Sequence, residues 1–207
     1  MKIAAIIAIV ILILAFLLGG AYFGRRNQMV VKREAVSASW AHVDVVLQRR
    51  ADLIPNLVAT VKGFAQHEEQ VFSEIAAARA NYLNAKTPAE KISANGQLDG
   101  ALSKVLLLQE NYPQLKSNEN FLRLQDELAG TENRIAVERR RYNEYVQDYN
   151  TYIALFPNSL VASMSGFTRN DAYFKTDEGA RTAPKVNFDF NKSTAPAATP
   201  VPAPAKP

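Results

Sequence analysis

The chain opens with an apolar run, Ile3 to Phe23, that contains no charged residue and a single hydroxyl, Tyr22. As a helix it rises about 30 Å, the thickness of a bilayer core. Apolar positions then recur at helical spacing. The series Val36, Trp40, Val43, Leu47, Arg50, Ile54, Leu57, Val61, Phe64, Glu68, Val71, Ile75, Ala78, Tyr82 advances by alternating steps of four and three. That repeat of about 3.5 residues predicts a long helix packing at a shallow left-handed angle. Two of its members, Arg50 and Glu68, are charged.

Asn84 to Thr87 interrupts the pattern. Thr87-Pro88-Ala89-Glu90 reads as a helix start, with Thr as N-cap, Pro in the first turn and Glu completing a capping box. This helix carries Ile92, Leu98, Leu102, Val105 and Leu106, runs to about Tyr112 and is ended by Pro113. Ser117 or Asn118 caps the next, with Glu119 favourable to its dipole. Its seam is Phe121, Leu124, Leu128, Thr131, Ile135, Glu138, Tyr142, Tyr145, Tyr149, Tyr152, Phe156, closed by Pro157-Asn158. Gly130 within it is read as a close helix crossing. Val186 to Phe190 alternates but cannot make a sheet alone. Ser193 to Pro207, rich in Ala and Pro, is expected to be disordered or polyproline-like.

The fold class expected is all-α: an N-terminal transmembrane helix, then an up-and-down antiparallel bundle of three or four long helices, then a disordered tail. The divisions are residues 1–24 for the anchor and its flanks, 25–165 for the bundle, 166–191 for an extended segment and 192–207 for the tail. A cleaved signal peptide, with Gly19-x-Ala21 as the cleavage site, is the competing account of the first segment. The length of the apolar run and the basic residues close behind it favour an uncleaved anchor.

Pro55 leaves two arrangements open. Proline removes a backbone hydrogen bond and crowds the carbonyl four residues back, at about 3 kcal/mol inside a helix. Either the chain turns near Asp52, which caps a new helix, or the helix kinks and continues. Continuity would leave the Val36–Leu47 and Tyr142–Phe156 seams overhanging the bundle, and seams of that size are not left in water. Continuity therefore predicts self-association; a turn permits a monomer.

Charge refines the picture. The net +4 is not spread evenly. Lys2, Arg25, Arg26, Lys32 and Arg33 flank the apolar run with no acid among them, whereas Glu34 to Phe156 holds 13 basic and 16 acidic residues. The basicity belongs to the membrane flank and the tail, which points to anionic lipid headgroups and argues against nucleic acid. The positive-inside rule leans towards a cytoplasmic bundle. With no cysteine and two histidines, His42 and His67, thiolate chemistry is excluded and a histidine-rich metal site is not expected. His67-Glu68-Glu69 lacks the second histidine of a zinc helix. No cofactor, nucleophile set or phosphate loop is expected, and Arg139-Arg140-Arg141 is read as a solvated face. Glu68 and Glu138 sit on apolar seams, where a carboxylate must be paired or neutralised, and Arg50 is a candidate partner for either. Arg50, Asp52, Pro55 and Asn56, joined by Asn133 and Arg134, are the candidate residues for a special local structure or interaction.

Two stretches resemble the LemA family: Gln48 to Glu68, QRRADLIPNLVATVKGFAQHE, and Asn118 to Ala162, NENFLRLQDELAGTENRIAVERRRYNEYVQDYNTYIALFPNSLVA. Gly166-Phe167 followed by Tyr173-Phe174 fits the family's ending. Ala51 and Phe64 stand where many members have tyrosine, and Asn95-Gly96 and the tail are less typical. The resemblance implies a bacterial inner-membrane protein with one N-terminal span, a helical bundle and no enzyme activity. It also implies relatives in magnetosome-membrane machinery and others encoded near membrane proteases. The function expected is a membrane-anchored scaffold or adaptor working with the bilayer and with itself or another membrane protein. The alternative is a regulatory partner of a membrane protease or envelope-stress system.

Overall fold

A computed structural model describes residues 2–175. The Val186–Phe190 alternation, the Ala/Pro tail and most of the 166–191 segment lie outside the described residues, as does the side chain of Lys2. The described helices are α1 (Lys2–Lys62), α2 (Glu69–Asn84), α3 (Pro88–Asn111), α4 (Pro113–Lys116), α5 (Glu119–Ala154) and α6 (Asn158–Ser165).

The first of these is one continuous helix of 61 residues. It passes through Pro55, so there is no turn at Asp52. The physical reason lies 28 residues away in sequence. Proline has no N–H to offer the Ala51 carbonyl, and Arg79 Nε on α2 donates to that oxygen instead, at 2.8 Å. Pro55 itself faces solvent.

The helix does end before Tyr82, however. The chain turns over Gly63 to Glu68, and α2 runs back along α1, with Tyr82 Oη donating to Asp44. The 3.5-residue series survives the break because Phe72, Ile75, Ala78 and Tyr82 face the same core as Leu47, Ile54, Leu57 and Val61. Helix α3 reverses again. Glu74–Lys104 and Asn81–Gln97 pair it antiparallel with α2. Its start is the full capping box, Glu90 N–H donating to Thr87 Oγ1 while Thr87 N–H donates to Glu90. Asn118 caps α5 through Phe121 N–H. Lys32–Asp148 and Arg50–Glu132 set α5 antiparallel to α1. The result is an up-and-down bundle of α1, α2, α3 and α5 in which α1 and α5 outrun the α2–α3 hairpin.

The overhanging seams are not exposed. They cover each other: Met29, Val36, Val43 and Leu47 on α1 meet Tyr142, Val146, Tyr149 and Ile153 on α5, with Val161 and Ala162 of α6 completing the layer. Continuity of α1 therefore does not demand self-association. The α5 stripe also drifts. After Tyr142 it buries Val146, Tyr149 and Ile153 and leaves Tyr145 exposed, because a straight helix of 3.6 residues per turn slips against a 3.5 repeat. Gly130 is no close crossing: it faces solvent, and a Cβ there would meet nothing within 4 Å.

Candidate functional site

Three constellations stand out, ordered along the α1–α5 pair. The deepest is at Arg50, which is 1% exposed and the largest fully buried side chain. Its guanidinium contacts Asn95 and Asp99 on α3 and donates to Glu132 on α5 at 2.7 Å. Arg139 reaches the same two carboxylates, 3.4 Å from Asp99 and 3.7 Å from Glu132. Three helices are thus pinned by two arginines and two acids. Burial pushes the Asp99 carboxyl above the usual range, against the pull of Arg50 and Arg139.

This network corrects the pairing expected for the seam carboxylates. Glu68 is half-buried at the start of α2 and accepts from Tyr112 Oη at 2.9 Å; Glu138 is half-buried and takes Arg141. Neither meets Arg50, because seam positions one or more turns apart on the paired helices do not face each other. Nor is the arginine triplet uniformly solvated, since Arg139 turns inward while Arg140 and Arg141 pair with Glu144 and Glu138. Asp52, Pro55 and Asn56 lie exposed on α1, where Asp52 accepts from Gln48. Asn133 and Arg134 are exposed on α5 and do not join the Arg50 network. The residues that do join it, Asn95, Asp99, Glu132 and Arg139, gave no periodic signal, although Asn95 and Asp99 follow the buried spacing of α3.

The second constellation holds residues 167–174 as an extended strap on the α1–α5 pair. Asn150 grips the backbone of Asn170 in both directions, Nδ2 donating to its carbonyl at 2.7 Å and Oδ1 accepting its N–H at 2.9 Å. One heptad earlier, Asn143 grips Phe174 in the same way, at 2.8 and 3.0 Å. Tyr149 Oη donates to the Thr168 carbonyl, and Trp40, Tyr142 and Phe174 stack as an aromatic triad. Burial raises the Tyr142 and Tyr149 hydroxyls above their usual range. The strap therefore packs with the bundle, and the compact unit extends to Phe174.

The third is the collar behind the apolar run. Arg25 donates to the Ala21 carbonyl and Arg26 is exposed, but Lys32 is tied to Asp148 at 2.6 Å and Arg33 lies over the Phe167 ring. Of these four, Arg25 and Arg26 are the pair with neither an acidic nor an aromatic partner among the described residues. The described residues contain one helix long and apolar enough to cross a membrane, its apolar window wholly unburied. Among the described residues no group of three His, Asp or Glu side chains comes together to hold a metal.

A model of the LemA family matches residues 39–188. Among curated proteins, magnetosome protein MamQ 2 of Paramagnetospirillum magneticum is 26% identical, covering 73% of this chain and 65% of its own length. Magnetosome protein MamQ of Magnetospirillum gryphiswaldense is 24% identical, covering 75% and 66%. Protein LemA of Metamycoplasma hominis is 22% identical, covering 68% and 65%. The chain thus spans just under two thirds of the length of the curated relatives it matches.

Proposed function

The chain belongs to the LemA family, and from that premise we propose that it is a single-pass, membrane-anchored, non-enzymatic adaptor of the bacterial inner membrane. The observation that carries this reading is the continuity of α1: the same helix supplies the apolar run and the spine of the bundle, with no linker between them. From Gly24 to Lys62 it rises roughly 60 Å, which would hold the far end of the bundle at a fixed height above the bilayer. The Arg50 network locks α3 and α5 to that spine, and its carboxylates are spent on arginines rather than aimed at a cavity. A bundle facing the cytoplasm fits Arg25 and Arg26 directly behind the span. Names of relatives that refer to the magnetosome fit work at a membrane. Because the overhanging seams are covered within one chain, another membrane protein is a better partner than a second copy.

Photo-crosslinking residues at the exposed positions Asn56 and Asn133, in cells, test the reading. They are expected to capture one membrane protein, and the adduct is expected to disappear when a flexible Gly-Ser linker is inserted between Arg26 and Asn27. An adduct indifferent to the linker would remove fixed presentation from the proposal; no adduct at either position would remove the adaptor.

A further inference from the structure

The α5–α6 corner carries apolar side chains that the bundle does not use. Leu155, Phe156, Leu160 and Met164 are all exposed, Phe156 at 79% and Met164 at 75%. Helix α6 is two-faced: Val161 and Ala162 are buried against the helix pair, whereas Leu160 and Met164, four residues apart, share the outer face. No charged residue occurs between Asp148 and Arg169. Elsewhere in the bundle exposed apolar residues are scattered singly, as on any soluble surface.

The height of this corner is fixed by contacts on either side of it. Lys32–Asp148 sets the register of α5 on α1. Six residues past Asp148, α5 ends, which on the antiparallel α1 corresponds to Arg26. Ser165, at the other end of α6, hydrogen-bonds Tyr22 at 2.9 Å. The chain then turns away through Gly166, whose φ of +72° closes the helix, and Phe167 stacks under Arg33. The apolar face of α6 therefore sits level with Tyr22 and Phe23, the last residues of the apolar run, and Phe23 is itself exposed.

We propose that the α5–α6 corner is a second membrane contact, with Leu155, Phe156, Leu160 and Met164 seated in the interfacial layer of the bilayer that α1 crosses. This rests on the single-pass reading. A short helix with one apolar face, free of charge and beside a span, lies in the headgroup–acyl boundary, and the Tyr at its base is a residue type that belongs there. Arg25 and Arg26 at the same level face the anionic headgroups. The contact adds what a lone span lacks: a second point of attachment off the helix axis, which stops the bundle from swivelling about α1 and presents one side of it to a partner in the same membrane.

The chain has no cysteine, so single-cysteine variants give clean labels. Leu12→Cys, Phe156→Cys, Met164→Cys and Ala59→Cys in the full chain, carrying an environment-sensitive fluorophore, are reconstituted in phosphatidylglycerol-containing vesicles with lipids brominated at shallow or deep acyl positions. All four positions are exposed, so the labels displace no packed contact. The expected result is loss of fluorescence at Leu12 to deep-brominated lipid, loss at Phe156 and Met164 to shallow-brominated lipid, and none at Ala59. Quenching at Leu12 with Phe156 and Met164 behaving like Ala59 would overturn the second contact and leave the span standing. Blue-shifted but unquenched emission at Met164 would mean that protein covers the face, and would also overturn it. No quenching at Leu12 would overturn the single-pass reading and the contact together.

Discussion

The double variant Asp99→Asn with Glu132→Gln is expected to lose about 3–5 kcal/mol of unfolding free energy, the cost of stranding a buried charge. Arg50 is 1% exposed, so its guanidinium cannot recover water when its acids are neutralised. Its Nε has no partner, and only neutral amide oxygens, that of Asn95 among them, would remain to accept from it. Each single variant is expected to cost much less. Asp99 and Glu132 keep 39% and 48% of their side-chain surface, so solvent already screens each pair, and either acid can serve Arg50 without the other. The two effects should therefore be more than additive. Adding Arg50→Met to the double variant is expected to recover most of the loss, because an apolar side chain of similar length fills the site without a charge. Urea midpoints of the four variants, each against the unaltered chain, decide the matter. Additive single effects, or no recovery with methionine, would mean that the guanidinium is solvated and the network is not a buried pin.

Asn150→Ala is expected to cost about 2–3 kcal/mol and to release the strap. The side chain is buried and makes three hydrogen bonds, to both backbone groups of Asn170 and to Tyr173 Oη, which lose their partner together. Each stranded group would cost about 1–3 kcal/mol if it stayed buried. The strap limits the total by lifting off and rehydrating. The chain has a single tryptophan, Trp40, whose ring stacks on Phe174 at 6.1 Å, so its emission reports the release directly. A red shift with faster amide exchange at Asn170 and Phe174 is expected. Unchanged Trp40 emission would mean that the strap is held by its aromatic contacts rather than by the asparagine.

The starts of α3 and α5 are legible because the signals are local. A capping box needs four consecutive residues, and the α5 seam needs only its own period. What escaped was set by partners distant in sequence. The turn at Gly63 is hidden because the heptad series resumes in register beyond it, on a helix running the other way. Pro55 leaves a turn and a continuous helix both open, because the donor that replaces its missing N–H, Arg79, lies on another helix. The acids that serve Arg50 lie on helices whose apolar pattern says nothing of them. Similarly, the strap has no period at all, since its contacts run from asparagine side chains to backbone. Asn143 and Asn150, one heptad apart on an inward stripe, were the available clue, as was the charge-free interval around α6.

The apolar run and the bundle spine are one continuous helix, which the proposed function takes to be rigid across the membrane surface. Double electron–electron resonance between nitroxides on Leu18→Cys and Ala59→Cys, with the full chain in lipid nanodiscs, tests that rigidity. Both positions are exposed on α1. At 1.5 Å per residue an unbroken helix predicts one narrow distance at roughly 60 Å. A broad or markedly shorter distribution would mean a hinge at the membrane surface or at Pro55, and would contradict presentation at a fixed height.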